Sequence, residues 1–540
     1  MVVHKYGHAN GKPLSAANYT DGLLFHSLLI VFQHSEHLTI GSLQTLEKPD
    51  YCSLFELWSQ RNRVLSRAIM ETRKPHVVMF PSVAGIGHTI PFCEFAKLLA
   101  SRHGFAITFM TAKFMVTSAQ IAYTQSLASS GLDIRFIELP QVEMNPEDMN
   151  GHPLISIFNF LEKSKDSVEH VLRTLWNDSF KPISAFITDL FCAATIEVCT
   201  SLHIPSYVLC TTSASNLSLM LYHPTVDAEI KESLKDLDGS VKVPGFPSLP
   251  TVEFPDPMLD RSDPLYHLFL RNSYRMFKAD GILINTFQDV EGRIVQALVN
   301  GEILPSVDGI RMPSIHAVGP LIAPPKPILE DPSGSLQWLD NQPASSVILV
   351  SFGSVNFLSG EQIGELALGL ESSGHRFLWV LRGHPSNPNL SALLPPGFEQ
   401  RTKDRGLVAT SWAPQVSILA HPSTGGFVSH CGWNSVLESI WFGVPFIAWP
   451  LQADQRPVGY FLVNDSRIAV GLQKRKDGIV TKEEVEKAAR ELMDGENGKK
   501  LTVRAKELKE CAKAALAEGG SSSQALAEVV ALWKAKPRVQ

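Results

Sequence analysis

Residues 76–99 read HVVMFPSVAGIGHTIPFCEFAKLL, and the order of elements in this stretch decides the fold. His76-Val-Val-Met-Phe80 is a short apolar run, the pattern of a strand buried on both faces of a parallel sheet. The turn Pro81-Ser-Val-Ala-Gly-Ile-Gly-His88 follows. Phe92, Phe95, Ala96 and Leu99 then recur at the i, i+3, i+4, i+7 spacing of a helix, with Pro91 near its start. Strand, turn and helix form the βα half of a doubly wound unit, and apolar runs at 106–110, 185–189, 206–210 and 281–285 repeat it.

From 314 to 343 the alternation stops, and Pro320, Pro324, Pro325, Pro327, Pro332 and Pro343 fill a polar connection. It restarts with runs at 347–352, 376–381, 406–410, 426–429 and 445–449. Ser359 and Gln362 make a capping box before a helix with Ile363, Leu366, Ala367 and Leu370 on one face. Two late helical stripes follow, Val485, Ala488, Ala489, Leu492 and then Leu526, Val529, Val530, Trp533. The expected class is α/β, with two Rossmann-like, doubly wound domains facing across a cleft. The expected boundaries are an extension over 1–73, a first domain over 74–318, a linker over 319–343, a second domain over 344–520 and a final helix over 521–540. Ligands of such sheets sit beyond the strand carboxyl ends. His88, Asp189, Ser354 and His430 each follow one.

The composition agrees. A chain of 540 residues exceeds what one core serves, and 44% apolar residues exclude a mainly disordered protein. A net charge of −6 without a basic tract argues against nucleic-acid binding. The longest apolar candidate for a membrane span, 23–32, is too short and carries His26 and Ser27. The seven cysteines are odd in number and contain no CxxC, which points to reduced thiols in a cytoplasmic setting. The extension has a single acidic residue, Asp21, before Glu36, as organellar transit peptides do, yet no arginine before Arg61. A cytoplasmic protein is expected, with organellar targeting by the extension as the alternative.

Residues 412–455, WAPQVSILAHPSTGGFVSHCGWNSVLESIWFGVPFIAWPLQADQ, hold four of the chain's nine tryptophans. This segment resembles the signature box of plant secondary-product, UDP-dependent glycosyltransferases. Fainter echoes are the turn at 81–91, Asp189-Leu-Phe191, Val243-Pro-Gly-Phe-Pro247, Asn285-Thr-Phe287, Val318-Gly-Pro320 and Val350-Ser-Phe-Gly-Ser354. The resemblance implies a GT-B fold, with the acceptor in the first domain, the UDP-sugar in the second and the final helix crossing back to the first. It places uracil on Trp412, base and ribose contacts on Ala413 and Gln415, and ribose hydroxyls on Glu438. In Ser435-Val-Leu-Glu438 that carboxylate could instead cap its own helix. The diphosphate would meet His430, Asn434, Ser435 and Ser354 at a helix N-terminus, whose free N–H groups attract anions. Those contacts would take the place of a metal ion, so no metal and no cofactor beyond the co-substrate is expected. Asp454 and Gln455 would hold the sugar, with Thr212 as a further candidate. In the family Trp433 and the terminal Gln usually accompany UDP-glucose.

Sugar transfer to a hydroxyl needs a base, and a neutral imidazole suits that task. Singly, His88 reads as a turn histidine and Asp189 as a helix cap. Together they match the family's His–Asp dyad, which implies inversion at the anomeric carbon. The N-terminus of the helix after His88 is expected to disfavour imidazolium. A small hydrophobic hydroxylated acceptor such as a phenol is expected, in a pocket around Phe191, His223 and 246–260. Three rival readings are weaker. Asp236-Leu-Asp238 has the letters of a metal-binding DxD but lies in a polar loop. The Gly85-x-Gly87 turn of a dinucleotide oxidoreductase lacks its third glycine, Ile90 standing there. A non-catalytic nucleotide-sugar-binding protein would have no need of His88 and Asp189.

Overall fold

The computed structural model describes residues 74–178, 183–305, 309–325, 331–354, 356–382 and 390–535. The extension over 1–73, with its 23–32 run and its targeting question, lies outside the described residues. In chain order the strands are β1 (His76–Phe80), β2 (Ala106–Thr111), β3 (Ile134–Glu138), β4 (Ile183–Asp189), β5 (Ser206–Cys210), β6 (Ser240–Val241), β7 (Leu249–Pro250), β8 (Gly281–Ile284) and β9 (Ser314–Ala317). The second half adds β10 (Val347–Ser351), β11 (Arg376–Val380), β12 (Gly406–Ala409), β13 (Thr424–Ser429), β14 (Phe446–Ala448) and β15 (Ala469–Gly471).

The first sheet has seven strands in the order β3-β2-β1-β4-β5-β8-β9, and the second has six in the order β12-β11-β10-β13-β14-β15. Both are parallel throughout. Strands β6 and β7 form a separate antiparallel pair. In each sheet the chain winds one way from a central strand and then the other way. The order reverses between β1 and β4 in the first and between β10 and β13 in the second. A reversal opens a crevice at the carboxyl ends of the two strands, because their crossover helices lie on opposite faces. Those four strand ends lead to His88, Asp189, Ser354 and His430.

The central strands β1, β5 and β10 are buried along their whole length, as their continuous apolar runs require. Besides the two-residue pair β6 and β7, three strands of the parallel sheets escape the sequence reading: β3, β9 and β15. Each is a sheet edge, and their partly exposed sequences, such as Ile134-Arg-Phe-Ile-Glu138, lack a solid apolar run. Ser314 therefore begins a strand paired with β8 rather than the proline-rich connection.

The helix Ser521–Ala535 lies on the first sheet, where Leu526, Val529, Val530 and Trp533 share a core with Val77, Ile187 and Leu283. The Trp533 indole meets Phe105 and Tyr207 edge-on, with centroids 5.9 and 5.1 Å away. Among the described residues no helix is long and apolar enough to cross a membrane. Trp533→Ala should cost about 3–5 kcal/mol, the usual penalty for emptying a buried indole site, read as a lower urea midpoint.

Candidate active site

Helix Ile86–His103 begins earlier than Pro91 suggested, so His88 lies in its first turn rather than ahead of it. Gly85 caps the helix at φ +112°, a conformation that L side chains rarely adopt. Pro91, inside the helix, has no N–H to give the carbonyl four residues back. That carbonyl belongs to Gly87, and it accepts instead from Asn434 Nδ2 at 2.9 Å. The missing helical bond thus becomes a contact between the two lobes.

His88 Nδ1 lies 2.8 Å from Asp189 Oδ2 and 3.0 Å from Thr211 Oγ1. The other Asp189 oxygen accepts from the Phe191 amide at 2.9 Å, so the fully buried carboxylate is fixed from two sides. With Nδ1 engaged, Nε2 is the nitrogen left for substrate. Phe191 lies against the imidazole at a centroid distance of 5.0 Å, and Phe158 and Phe269 meet Phe191 at 5.4 and 5.9 Å. A cluster of aromatic rings therefore reaches His88 through Phe191.

The expectation that the helix N-terminus keeps His88 neutral is corrected. Burial does oppose the charged ring, but the Asp189 carboxylate and then that of Asp454 outweigh it, and the pKa is raised above 6.5. Asp454 comes from the other lobe, and its carboxylate bonds Thr212 Oγ1. Burial raises the pKa of Asp454, opposed by the Thr212 bond and by His88.

The second lobe gathers the remaining candidates. Trp412 follows β12 and is 64% exposed, an indole face held in solvent at a strand end. Ala413 beside it is half-buried, and Ser354, after β10, is exposed. His430 follows β13, and burial pushes its pKa down to about 4 against a hydrogen bond with the Ser351 backbone. Its Nδ1 is buried without a partner. A Cβ at Gly353 or Gly432 would come within 2.7 or 2.3 Å of the ring, so both glycines make room for it. Helix Trp433–Phe442 starts here, carrying Asn434, Ser435 and Glu438.

Gln415 Nε2 bonds Ser435 Oγ at 3.0 Å and Glu438 Oε2 at 2.8 Å, while Ser351 Oγ holds its Oε1 at 3.1 Å. Burial lifts the Glu438 pKa to about 7, with the Gln415 bond acting against it. Trp433 and Gln455 do not open onto the groove as freely. Trp433 is 3% exposed and its indole N–H bonds the Asn285 carbonyl of the first lobe at 2.7 Å. Gln455 Oε1 is occupied by the Leu451 and Gln452 amides, each at 3.0 Å.

The structure thus brings His88, Asp189, Thr212 and Asp454 together, and Gln415, Ser435 and Glu438 together. Thr211 escaped the sequence reading, although its place directly after β5 was a usable signal. Asp236-Leu-Asp238 runs from the last residue of a 3₁₀ turn towards β6, and among the described residues no three His, Cys, Asp or Glu side chains gather as metal ligands.

A family model described as "UDP-glucoronosyl and UDP-glucosyl transferase" matches residues 310–510. An anthocyanidin 5,3-O-glucosyltransferase from a Rosa hybrid cultivar is 39% identical over 85% of this chain and 99% of its own. Malvidin galactosylase UGT88C3 from Oryza sativa subsp. japonica is 38% identical, over 84% and 96%. Among solved structures, Phytolacca americana UGT2 complexed with UDP-2fluoro-glucose and pterostilbene aligns with a TM-score of 0.77 at 38% identity. That alignment covers 85% of this chain and 99% of the other.

A raised histidine pKa contributes stability that is complete below the unfolded value, about 6.5, and is lost as pH climbs through the folded one. The stability gap between wild type and His88→Gln should therefore be widest below about pH 6.5 and narrow above it, as read from urea midpoints. Asp189→Asn should lower the His88 titration midpoint seen by NMR.

Proposed function

The chain belongs to the UDP-glycosyltransferase family and has its GT-B fold, and from that premise we propose that it moves glucose from UDP-glucose onto a hydroxyl of a small phenolic acceptor, with inversion. The observation that carries this reading is the His88–Asp189 pair at 2.8 Å, standing at the first sheet's reversal point beside Asp454 of the other lobe. With its proton on Nδ1 and turned to Asp189, His88 offers Nε2 to the acceptor hydroxyl. The acceptor oxygen loses its proton to Nε2 and bonds to C1 of the sugar as the C1–O bond to UDP breaks. UDP leaves with that electron pair. Asp189 stabilises the imidazolium that results, a role its buried, doubly bonded carboxylate suits.

Across the cleft, the exposed Trp412 face suits uracil stacking, with Ala413 and Gln415 beside it for base and ribose. Glu438 suits the ribose hydroxyls, since near pH 7 it can both accept and donate. The unpartnered Nδ1 of His430, the hydroxyls of Ser354 and Ser435, Asn434 and the N-terminus of a ten-residue helix provide polar groups for the diphosphate. Neutralising the leaving group in this way needs no metal. Asp454, Gln455 and Thr212 take the sugar, and Trp433 supports them from behind.

The Phe191, Phe158 and Phe269 cluster favours a planar acceptor. Because one relative is named a galactosylase, glucose rests on the pattern of Trp433 and Gln455. We assign the acceptor to 74–318 and the donor to 344–520, joined by 319–343, with the segment 521–540 returning to the acceptor half. A cytoplasmic place in secondary metabolism accords with the mostly buried cysteines, none of which forms a disulfide among the described residues.

His88→Ala should cut turnover by about 10²–10⁴-fold, the range for a positioned base, with UDP affinity by calorimetry unchanged. Undiminished turnover would remove His88 from the chemistry. Trp412→Ala should instead weaken UDP about tenfold or more through lost stacking. A panel of phenols with UDP-glucose and UDP-galactose, read as a hexose mass increment, tests the transfer itself.

A further inference from the structure

The loop before Asp454 is fixed from the wrong lobe. Ala453 sits at φ +58°, a conformation a non-glycine residue keeps only where its surroundings impose it. Both of its backbone polar groups go to one first-lobe residue. The Ala453 amide donates to Asp256 Oδ2 at 2.6 Å, and the Asp256 amide donates to the Ala453 carbonyl at 3.3 Å. The other Asp256 oxygen pairs with Arg456 at 3.0 Å, so one carboxylate grips the chain on both sides of Asp454. Neighbouring contacts follow the same line: Arg456 reaches the Val252 carbonyl at 3.4 Å, and the Tyr460 hydroxyl the Ser248 carbonyl at 3.1 Å.

The donor lobe's own bonds hold the chain on either side of residue 453, the Val458 amide donating to the Asp454 carbonyl at 3.4 Å, but leave Ala453 itself to Asp256. Gln455 ties down 451 and 452, and Gln452 Nε2 bonds Asn356 Oδ1 at 2.9 Å. We propose that Asp256 is a positioning residue for the donor sugar: by clamping the Ala453 backbone it aims the Asp454 carboxylate, so selection among UDP-hexoses is set in part by the acceptor lobe. This rests on the reading that Asp454 meets the sugar.

The test compares full-length wild type, Asp256→Ala and Asp256→Asn with UDP-glucose and UDP-galactose at saturating phenol, alongside UDP calorimetry. Asp256→Ala should raise KM for UDP-glucose about tenfold, the worth of one charge-assisted bond. Its preference between the two donors should fall, while UDP affinity stays within about twofold, because uracil and diphosphate are held elsewhere. Asp256→Asn, which keeps an acceptor for the Ala453 amide, should restore most of the preference. Unchanged KM and preference in Asp256→Ala overturn the inference. So does a loss of UDP affinity in step with KM at constant preference, which marks general loosening. A wild type that binds UDP but transfers no hexose overturns the proposed function, and this inference with it.

Discussion

The bond from Asn434 to the Gly87 carbonyl exists because a proline lies one turn further along the same helix. The helices of the two sheets already share one apolar core, with Leu217, Ile294 and Leu298 from the first half and Leu437, Val458 and Leu508 from the second. Polar contacts between loops at the strand ends are added to that core where the candidate residues meet. Trp433 to Asn285, Thr212 to Asp454 and Asp256 to Ala453 are of the same kind. Each joins a first-lobe residue to one in the second lobe. Together with the shared core, these contacts set the spacing between the candidate residues of the two sheets.

Two histidines show how far surroundings decide chemistry. His88 and His430 both follow strand ends at reversal points, and both are largely screened from solvent. His88 faces two carboxylates and is raised; His430 is packed between glycines, and burial dominates, pushing it to about 4. The same side chain is thus shifted upward by carboxylates in one place and downward by burial in the other.

What the sequence disclosed followed from physics that acts locally. Central strands announced themselves because burial on both faces demands continuous apolar runs, and candidates such as His88 and Asp189, which the structure brings together, because they follow those runs. Edge strands β3, β9 and β15 did not, since half-exposed backbone tolerates Arg135 or Glu138. The start of the first helix was misplaced because a proline usually marks a first turn, whereas here Gly87 has another partner for its carbonyl. Asp256 and Thr211 were hidden for a different reason. Their partners lie 197 and 123 residues away, and no spacing rule reaches that far. The charge state of His88 was equally out of reach, because Asp454 approaches from a separate sheet.

The helix Ser521–Ala535 buries its indole in the first sheet, although all of the second sheet lies between them in the chain. A polypeptide emerging from the ribosome must therefore leave Phe105 and Tyr207 uncovered until Trp533 is made, 428 and 326 residues later. Long-range closure of this kind is slow, and it leaves apolar surface open to chaperones or to aggregation in the interval. The lobe synthesised first is thus the last to be sealed.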